Sequence, residues 1–357
     1  MFTIDLHLDL AMNALEWNRD LRLSVSGINE RESGKLDLAG RGGAMVSFPA
    51  LRAGQVGLVV ATQIARYVAP GNPLPGWHSP EQAWAHTQGQ LAWYRAMEAC
   101  GEMVQIRTRV ELDAHVDRWL KAGMASSGLP IGFILSLEGA DSLVNLNNLD
   151  IAWGYGIRAI GPAHYGPGRY ANGTDAQGAM GPQGVALLEA MDRLGMILDA
   201  THLCDDAFWQ AMDIFQGPVW ASHQACRQLV PHNRQFDDAQ LRRLLQRGAI
   251  IGAPMDAWMI VPGWKRGVSD PVSMGCNLDT LINHIEHICM LAGNRHQVCI
   301  GSDLDGGFGR EQSPSDMHTI ADLQRFPDLL SARGFTDEDI LGFMHGNALR
   351  FLRQSLP

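Results

Sequence analysis

Apolar positions along the chain gather into eight short runs: Phe2–Asp9, Val56–Gln63, Ile131–Glu138, Ile157–His164, Met196–His202, Val219–His223, Ala249–Met255 and Gln297–Asp303. Several, such as Ile131-Gly-Phe-Ile-Leu-Ser-Leu137, are nearly continuous rather than alternating, which marks strands buried on both faces of a parallel sheet. The segments between them carry helix punctuation. Ser79-Pro80-Glu81 supplies an N-cap, a proline at the first helical position and a first-turn acid for a helix over Gln82–Ala99. Asp237-Asp238 opens Ala239–Gln246, Thr336-Asp-Glu-Asp339 opens Ile340–Leu352, and Gln183–Leu194 and Asp279–Ala292 are helical by period. Strand and helix alternate about eight times with no repeat and no linker, and the (β/α)8 TIM barrel is the simplest closure of that pattern. A single domain over residues 1–357 is therefore predicted. The Gly/Pro-rich pieces Tyr67–Gly76, Gly161–Gly184, Pro262–Cys276 and Gly306–Asp316 become loops on the face where such barrels carry their sites.

The polar residues at the ends of these runs are the informative ones. Strand 1 ends in His7-x-Asp9, strand 3 in Glu138, strand 4 in His164, strand 5 in His202, strand 6 in His223 and strand 8 in Asp303. Singly, each has an ordinary structural explanation: a hydrogen-bonded core histidine, a cap neighbour, a turn residue. Together they are hard to explain by packing, because a buried charge or imidazole needs a partner or a metal, and barrel strand ends converge on one axis. The spacing of His7 and Asp9 puts both on one face of the strand. Imidazole nitrogen and carboxylate oxygen suit Zn²⁺. His7, Asp9 and Glu138 then make one set of ligands and Glu138, His202 and His223 a second, with Glu138 bridging. A hydroxide between two such metals is a nucleophile at neutral pH. Asp303 is placed to move its proton to a leaving amine, and His164 to donate to a developing oxyanion.

Other motifs carry less. His284-Ile-Glu-His287 falls on an outer helix and is read as a solvated face, not as the H-E-x-x-H zinc pattern. Asp305 and Gly306 are read as shaping the turn after strand 8. Gly161–Gly184 lacks a phosphate-loop pattern, and no G-x-S-x-G is present. Trp77, Trp258 and Trp264 lie in loops, and either lining of a substrate pocket or buried packing accounts for each of them.

With 46% hydrophobic residues the chain is rich enough for a large core, which rules out global disorder. The 28 Lys+Arg against 38 Asp+Glu leave a net charge of −10, which argues against nucleic acid or an anionic membrane as the main partner. No stretch of 18 apolar residues is present. The six cysteines are scattered and read as thiols of a reducing compartment, so a cytoplasmic location is expected.

In order along the chain come Asp5-Leu-His7-Leu-Asp9, Leu51-Arg52-Ala-Gly54-Gln-Val56-Gly57, Ser136-Leu-Glu138-Gly139, Ala163-His164 with Asn172 downstream, Ala200-Thr-His202, Ala221-Ser222-His223, Ile300-Gly-Ser-Asp303-Leu-Asp305-Gly306 and Gly346-Asn347-Ala-Leu-Arg350. In that order and spacing the chain resembles the renal (membrane) dipeptidase family of amidohydrolase-like metal-dependent hydrolases. The resemblance implies a (β/α)8 barrel, two Zn²⁺ per chain and hydrolysis of dipeptides. It puts the metal ligands on His7, Asp9, Glu138, His202 and His223, the substrate-orienting histidine on His164 and the acid/base on Asp303. It also implies an arginine after strand 6 that holds the substrate carboxylate. Here the segment reads His232-Asn233-Arg234-Gln-Phe-Asp237-Asp238, one position displaced from the family's Arg-Asn, and Arg234 takes the role. Leu6 and Leu8 flank His7 where the family has small or polar residues. A homodimer is the assembly the resemblance implies. The competing readings are the same barrel acting on another small amide or ester, such as a β-lactam, an N-acyl amino acid or a lactone, and a barrel reused only for binding.

Overall fold

Nine parallel strands form in chain order: β1 (Thr3–Leu8), β2 (Val56–Ile64), β3 (Met103–Gln105), β4 (Ile131–Glu138), β5 (Ile157–Gly161), β6 (Ile197–Asp199), β7 (Val219–Trp220), β8 (Ile251–Ala253) and β9 (Val298–Ile300). They are described by a computed structural model covering residues 1–357. The ladder runs β7-β6-β5-β4-β2-β1-β9-β8, and a parallel bridge from Ala221 to Ile251 closes it. Eight of the strands thus make the (β/α)8 barrel, each beginning within one of the predicted runs. Every residue of β1 and β4 is buried, as near-continuous apolar strands require. The ninth strand, β3, pairs with the first half of β4 (Val104 opposite Gly132), on the edge away from β2; β5 takes over that edge from Leu135. Three residues, Met-Val-Gln, carry no readable period, so the pattern did not announce it.

The helices start where their caps placed them. Ser79 Oγ accepts from the Gln82 N–H at the head of Pro80–Ala99, and Asp237 and Gln240 form a capping box at the head of Asp238–Gln246. The last predicted helix is interrupted. Residues Asp337–Leu341 and Asn347–Ser355 are α-helical, and Gly342–Gly346 between them is a π-turn. The cause is Asn347, whose side-chain amide donates to the carbonyls of Arg295 (2.9 Å) and Val298 (2.8 Å) and fixes the helix against β9.

The predicted solvated face at His284 is corrected. His284 is buried; its Nδ1 accepts from the Cys226 N–H (3.1 Å) and its Nε2 donates to the Ile260 carbonyl (3.0 Å), so it ties helix Leu278–Ala292 to the loop after β7 and to the short helix Ala257–Ile260. Glu286 and His287 are the residues of this stretch that lie near solvent, His287 paired with Asp238 at 2.7 Å. Asp305 also does more than shape its turn. It accepts from the Met45 and Val46 N–H groups and lies 3.4 Å from Arg19, which in turn holds buried Glu32 at 2.9 Å. This network clamps the segment before β2 to the end of β9.

Strands β7, β8 and β9 approach so closely that only glycine fits. A Cβ built on Gly252 or Gly301 would stand 1.9 or 1.7 Å from the Ser222 carbonyl oxygen. Gly301→Ala is expected to lower stability by about 1–3 kcal/mol or more, because backbone rather than a flexible side chain must give way. Denaturant unfolding of wild type and variant measures it; an unchanged midpoint would contradict this account of the barrel's tightest seam.

Candidate metal centre

The barrel brings the predicted site residues to one mouth. His7 lies in β1 and Asp9 just after it, with Asp9 the N-cap of Leu10–Leu15; Glu138 ends β4. His164, His202, His223 and Asp303 each sit three residues beyond the last strand residue of β5, β6, β7 and β9. The strands stop earlier than their apolar runs do, and His202 (φ 71°) and Asp303 (φ 57°) adopt left-handed backbone that leaves the ladder. Two buried aspartates steady these exits. Asp5 accepts from the N–H groups of Ser302 (2.8 Å) and His7 (3.1 Å), and Asp199 from those of Thr201 and Ser222 (both 3.1 Å).

Glu138 stands at the centre. Its Oε2 is 3.4 Å from His7 Nε2, while its Oε1 is 3.2 Å from His202 Nε2, 3.6 Å from His223 Nε2 and 3.9 Å from His164 Nε2. His7 Nε2 also lies 3.9 Å from Asp9 and 3.8 Å from Asp303. The imidazoles are braced from behind: Ser222 Oγ meets Nδ1 of His7 (3.3 Å) and of His223 (2.9 Å), and Thr174 Oγ1 meets Nδ1 of His202 (3.0 Å). Their Nε2 atoms are thereby turned inward, the usual way metal-binding histidines are oriented. Thr62 Oγ1 contacts Asp9.

The electrostatics are unbalanced. Burial depresses His202 and His223, and takes His164 down to about 3. Burial opposes charge on His7 too, but Glu138, Asp9 and Asp303 around it win and carry it to about 10. Burial pushes Asp9 up to about 7, with repulsion from Glu138 adding to it, and holds Asp303 well above the carboxylate range. Glu138 stays well below its ordinary value because His7 and its other imidazole neighbours outweigh its burial. Three carboxylates and three inward-facing imidazoles are a donor set for divalent cations. His7 Nε2, buried and without a hydrogen-bond partner, fits a ligand nitrogen, and His7–Asp9–Glu138, His7–His223–Asp303 and Glu138–His164–His202 each bring donor atoms within 4.8 Å of one another.

A family model described as membrane dipeptidase, peptidase family M19, matches residues 1–356. The chain belongs to the membrane dipeptidase family. Among curated relatives of this M19 chain, Dipeptidase tcpJ of Claviceps purpurea is 28% identical over 275 residues, 73% of this chain and 61% of that protein. The fold is that of a family M19 dipeptidase AC crystal structure (TM-score 0.79, 21% identity, 100% of this chain and 99% of that one). It is equally that of a Rhodobacter sphaeroides metallopeptidase crystallised with a phosphinate mimic of the dipeptide L-Ala-D-Ala (TM-score 0.79, 20% identity, 99% of both chains).

Above the M19 site opens a cavity of about 590 Å³, walled in part by Trp17, Trp77, Tyr165 and Trp258. Of the three candidate tryptophans, Trp77 and Trp258 line it; Trp264 packs against the core instead. Arg234 is buried at the cavity wall, donating to Gln224 Oε1 and the His223 carbonyl (both 3.0 Å). Arg66, Asp256 and Arg266, which no motif of the sequence marks, also line the cavity. Asp256 had a signal: it stands three residues beyond β8, the same offset as His223 and Asp303 on their strands. It is buried, 3.6 Å from Arg266, and burial brings it up to about 6. Arg66 had none, being one residue in a loop without a motif.

Proposed function

We propose that the protein is a zinc-dependent dipeptidase with a two-metal centre. The observation that carries the reading is the division of Glu138, one oxygen facing His7 and the other facing His202 and His223. His7, Asp9 and Glu138 would hold one Zn²⁺ and Glu138, His202 and His223 the other. Bound there, the cations supply Lewis acidity and lower the pKa of water to near neutrality. The side chains do the rest. Asp303 accepts the proton of the attacking water and returns it to the leaving amine. The His164 imidazole donates to the scissile carbonyl oxygen as negative charge gathers on it. Arg234 pairs with the substrate's C-terminal carboxylate through its planar fork. Family membership, the name of the Claviceps relative and the dipeptide mimic bound by the Rhodobacter protein support this substrate class.

A dipeptide-library screen with and without chelator, alongside metal analysis, tests the reading. Chelator-sensitive cleavage by a sample holding about two metals per chain is expected; a metal-loaded sample that cleaves no dipeptide would transfer the site to another small amide or ester. Arg234→Lys keeps the charge and loses the fork. It is expected to raise KM by roughly ten- to a hundredfold, the worth of a charge-assisted hydrogen bond of ~1.5–3 kcal/mol, with kcat less affected. Steady-state kinetics on one good dipeptide decides it: a KM within twofold of wild type removes Arg234 from carboxylate binding.

A further inference from the structure

Four imidazoles surround Glu138, and by distance alone His164 belongs with Glu138 and His202 as a possible cation-binding group. The partners behind the rings separate them. Nδ1 of His7, His202 and His223 meets the hydroxyl of Ser222 or Thr174. A hydroxyl oxygen accepts, so each of these rings can keep its proton on Nδ1 and turn an Nε2 lone pair inward. Behind His164 the partner is different: its Nδ1 lies 2.7 Å from Arg66 Nη2. A guanidinium has five donors and no acceptor, so the nitrogen facing it must be bare. The ring's proton is then on Nε2, the atom that faces the cavity 3.9 Å from Glu138 Oε1.

A nitrogen that carries a proton has no lone pair to give a cation. We propose that Arg66 is a positioning residue that fixes the His164 tautomer, keeping His164 out of the metal-ligand set and presenting its Nε2–H as a donor to the substrate carbonyl oxygen. The substrate's identity rests on the dipeptidase reading above; the tautomer does not. Both partners are held in place. Arg66 Nη1 donates to the Pro75 carbonyl (2.8 Å), and the Arg66 carbonyl accepts from the Trp77 N–H (2.8 Å), so the guanidinium is braced by its own loop. On the other side, the His164 carbonyl accepts from the Thr174 N–H (2.9 Å) and lies 1.8 Å from where a Cβ on Gly173 would be, a contact only glycine permits. Sequence and site therefore combine three rings backed by hydroxyls with one backed by a cation, and the chemistry of the backing sorts ligands from donor.

Nitrogen-15 NMR of histidine-labelled, zinc-loaded protein tests this directly, with the His164 signals assigned by their loss in His164→Gln. In the wild type, His164 Nδ1 is expected at the shift of an unprotonated nitrogen and Nε2 at that of a protonated one. Arg66→Lys keeps a donor-only cation and is expected to retain that pattern and most of kcat. Arg66→Met removes the donor; the tautomer is expected to become mixed and kcat to fall about a hundredfold, as when one oxyanion donor is lost, with KM little changed. A wild-type spectrum with the proton on Nδ1 overturns the proposal without recourse to any variant. So does an Arg66→Met protein, folded by circular dichroism, with spectrum and kcat unchanged. If the spectra come out as expected but no form of the protein cleaves a dipeptide, the substrate assignment fails and the tautomer assignment stands.

Discussion

Glu138→Gln is expected to remove at least half of the bound metal and to cut dipeptide hydrolysis by more than about a hundredfold. The side chain keeps its shape, but one oxygen becomes an NH₂ that can only donate. Whichever way the amide turns, that NH₂ faces either His7 Nε2, 3.4 Å from the present Oε2, or His202 Nε2, 3.2 Å from the present Oε1. One of the two ligand sets therefore loses both its shared oxygen and its share of negative charge. Removal of a partner outside the ligand shell already costs about 10–100-fold in affinity or activity, and a bridging ligand carries more. Elemental analysis of dialysed protein together with kcat/KM reads both effects. Full metal content with near wild-type turnover would dismiss Glu138 as the bridge.

Asp303→Asn separates chemistry from assembly. Asparagine has the same shape and tolerates the left-handed backbone at this position (φ 57°), so the turn after β9 is expected to survive. What disappears is the capacity to take and return a proton. A loss of about 10²–10⁴-fold in kcat is expected, the usual contribution of general acid–base catalysis, with KM nearly constant. Because Asp303 stands 3.8 Å from His7 Nε2, metal content is measured on the same samples. If kcat falls only in proportion to lost metal, Asp303 acts as a ligand rather than as the proton carrier.

How far the chain can be read depended on whether a residue's neighbours are set by local or distant contacts. The barrel strands were legible because burial on both faces leaves a run such as Ile131–Leu137 almost without polar residues, and the helix starts because Ser79 and Asp237 act on N–H groups three residues away. The end of the C-terminal helix pattern was not: the π-turn at Gly342–Gly346 answers to carbonyls of Arg295 and Val298, some fifty residues earlier in the chain. His284 misled for the same reason, since its partners, Cys226 and Ile260, come from a loop and a short helix elsewhere in the chain. In the site, the polar strand ends drew attention to His7, Asp9, Glu138, His164, His202, His223 and Asp303, which the fold gathers at one mouth. Asp5 and Asp199 look like interruptions of apolar strands, and their task becomes visible only when the neighbouring strand's N–H groups are in view.

The backbone at His202 carries a cost of its own. A non-glycine residue held at φ 71° surrenders about 1–3 kcal/mol that the rest of the fold must supply. Glycine at position 202 would ease the backbone, but it would empty the space of a buried imidazole and leave Thr174 without its partner, so the exchange gains no stability. The strain and the imidazole therefore come as a pair, and laboratory evolution of this protein for heat tolerance would have to find its gains away from this turn.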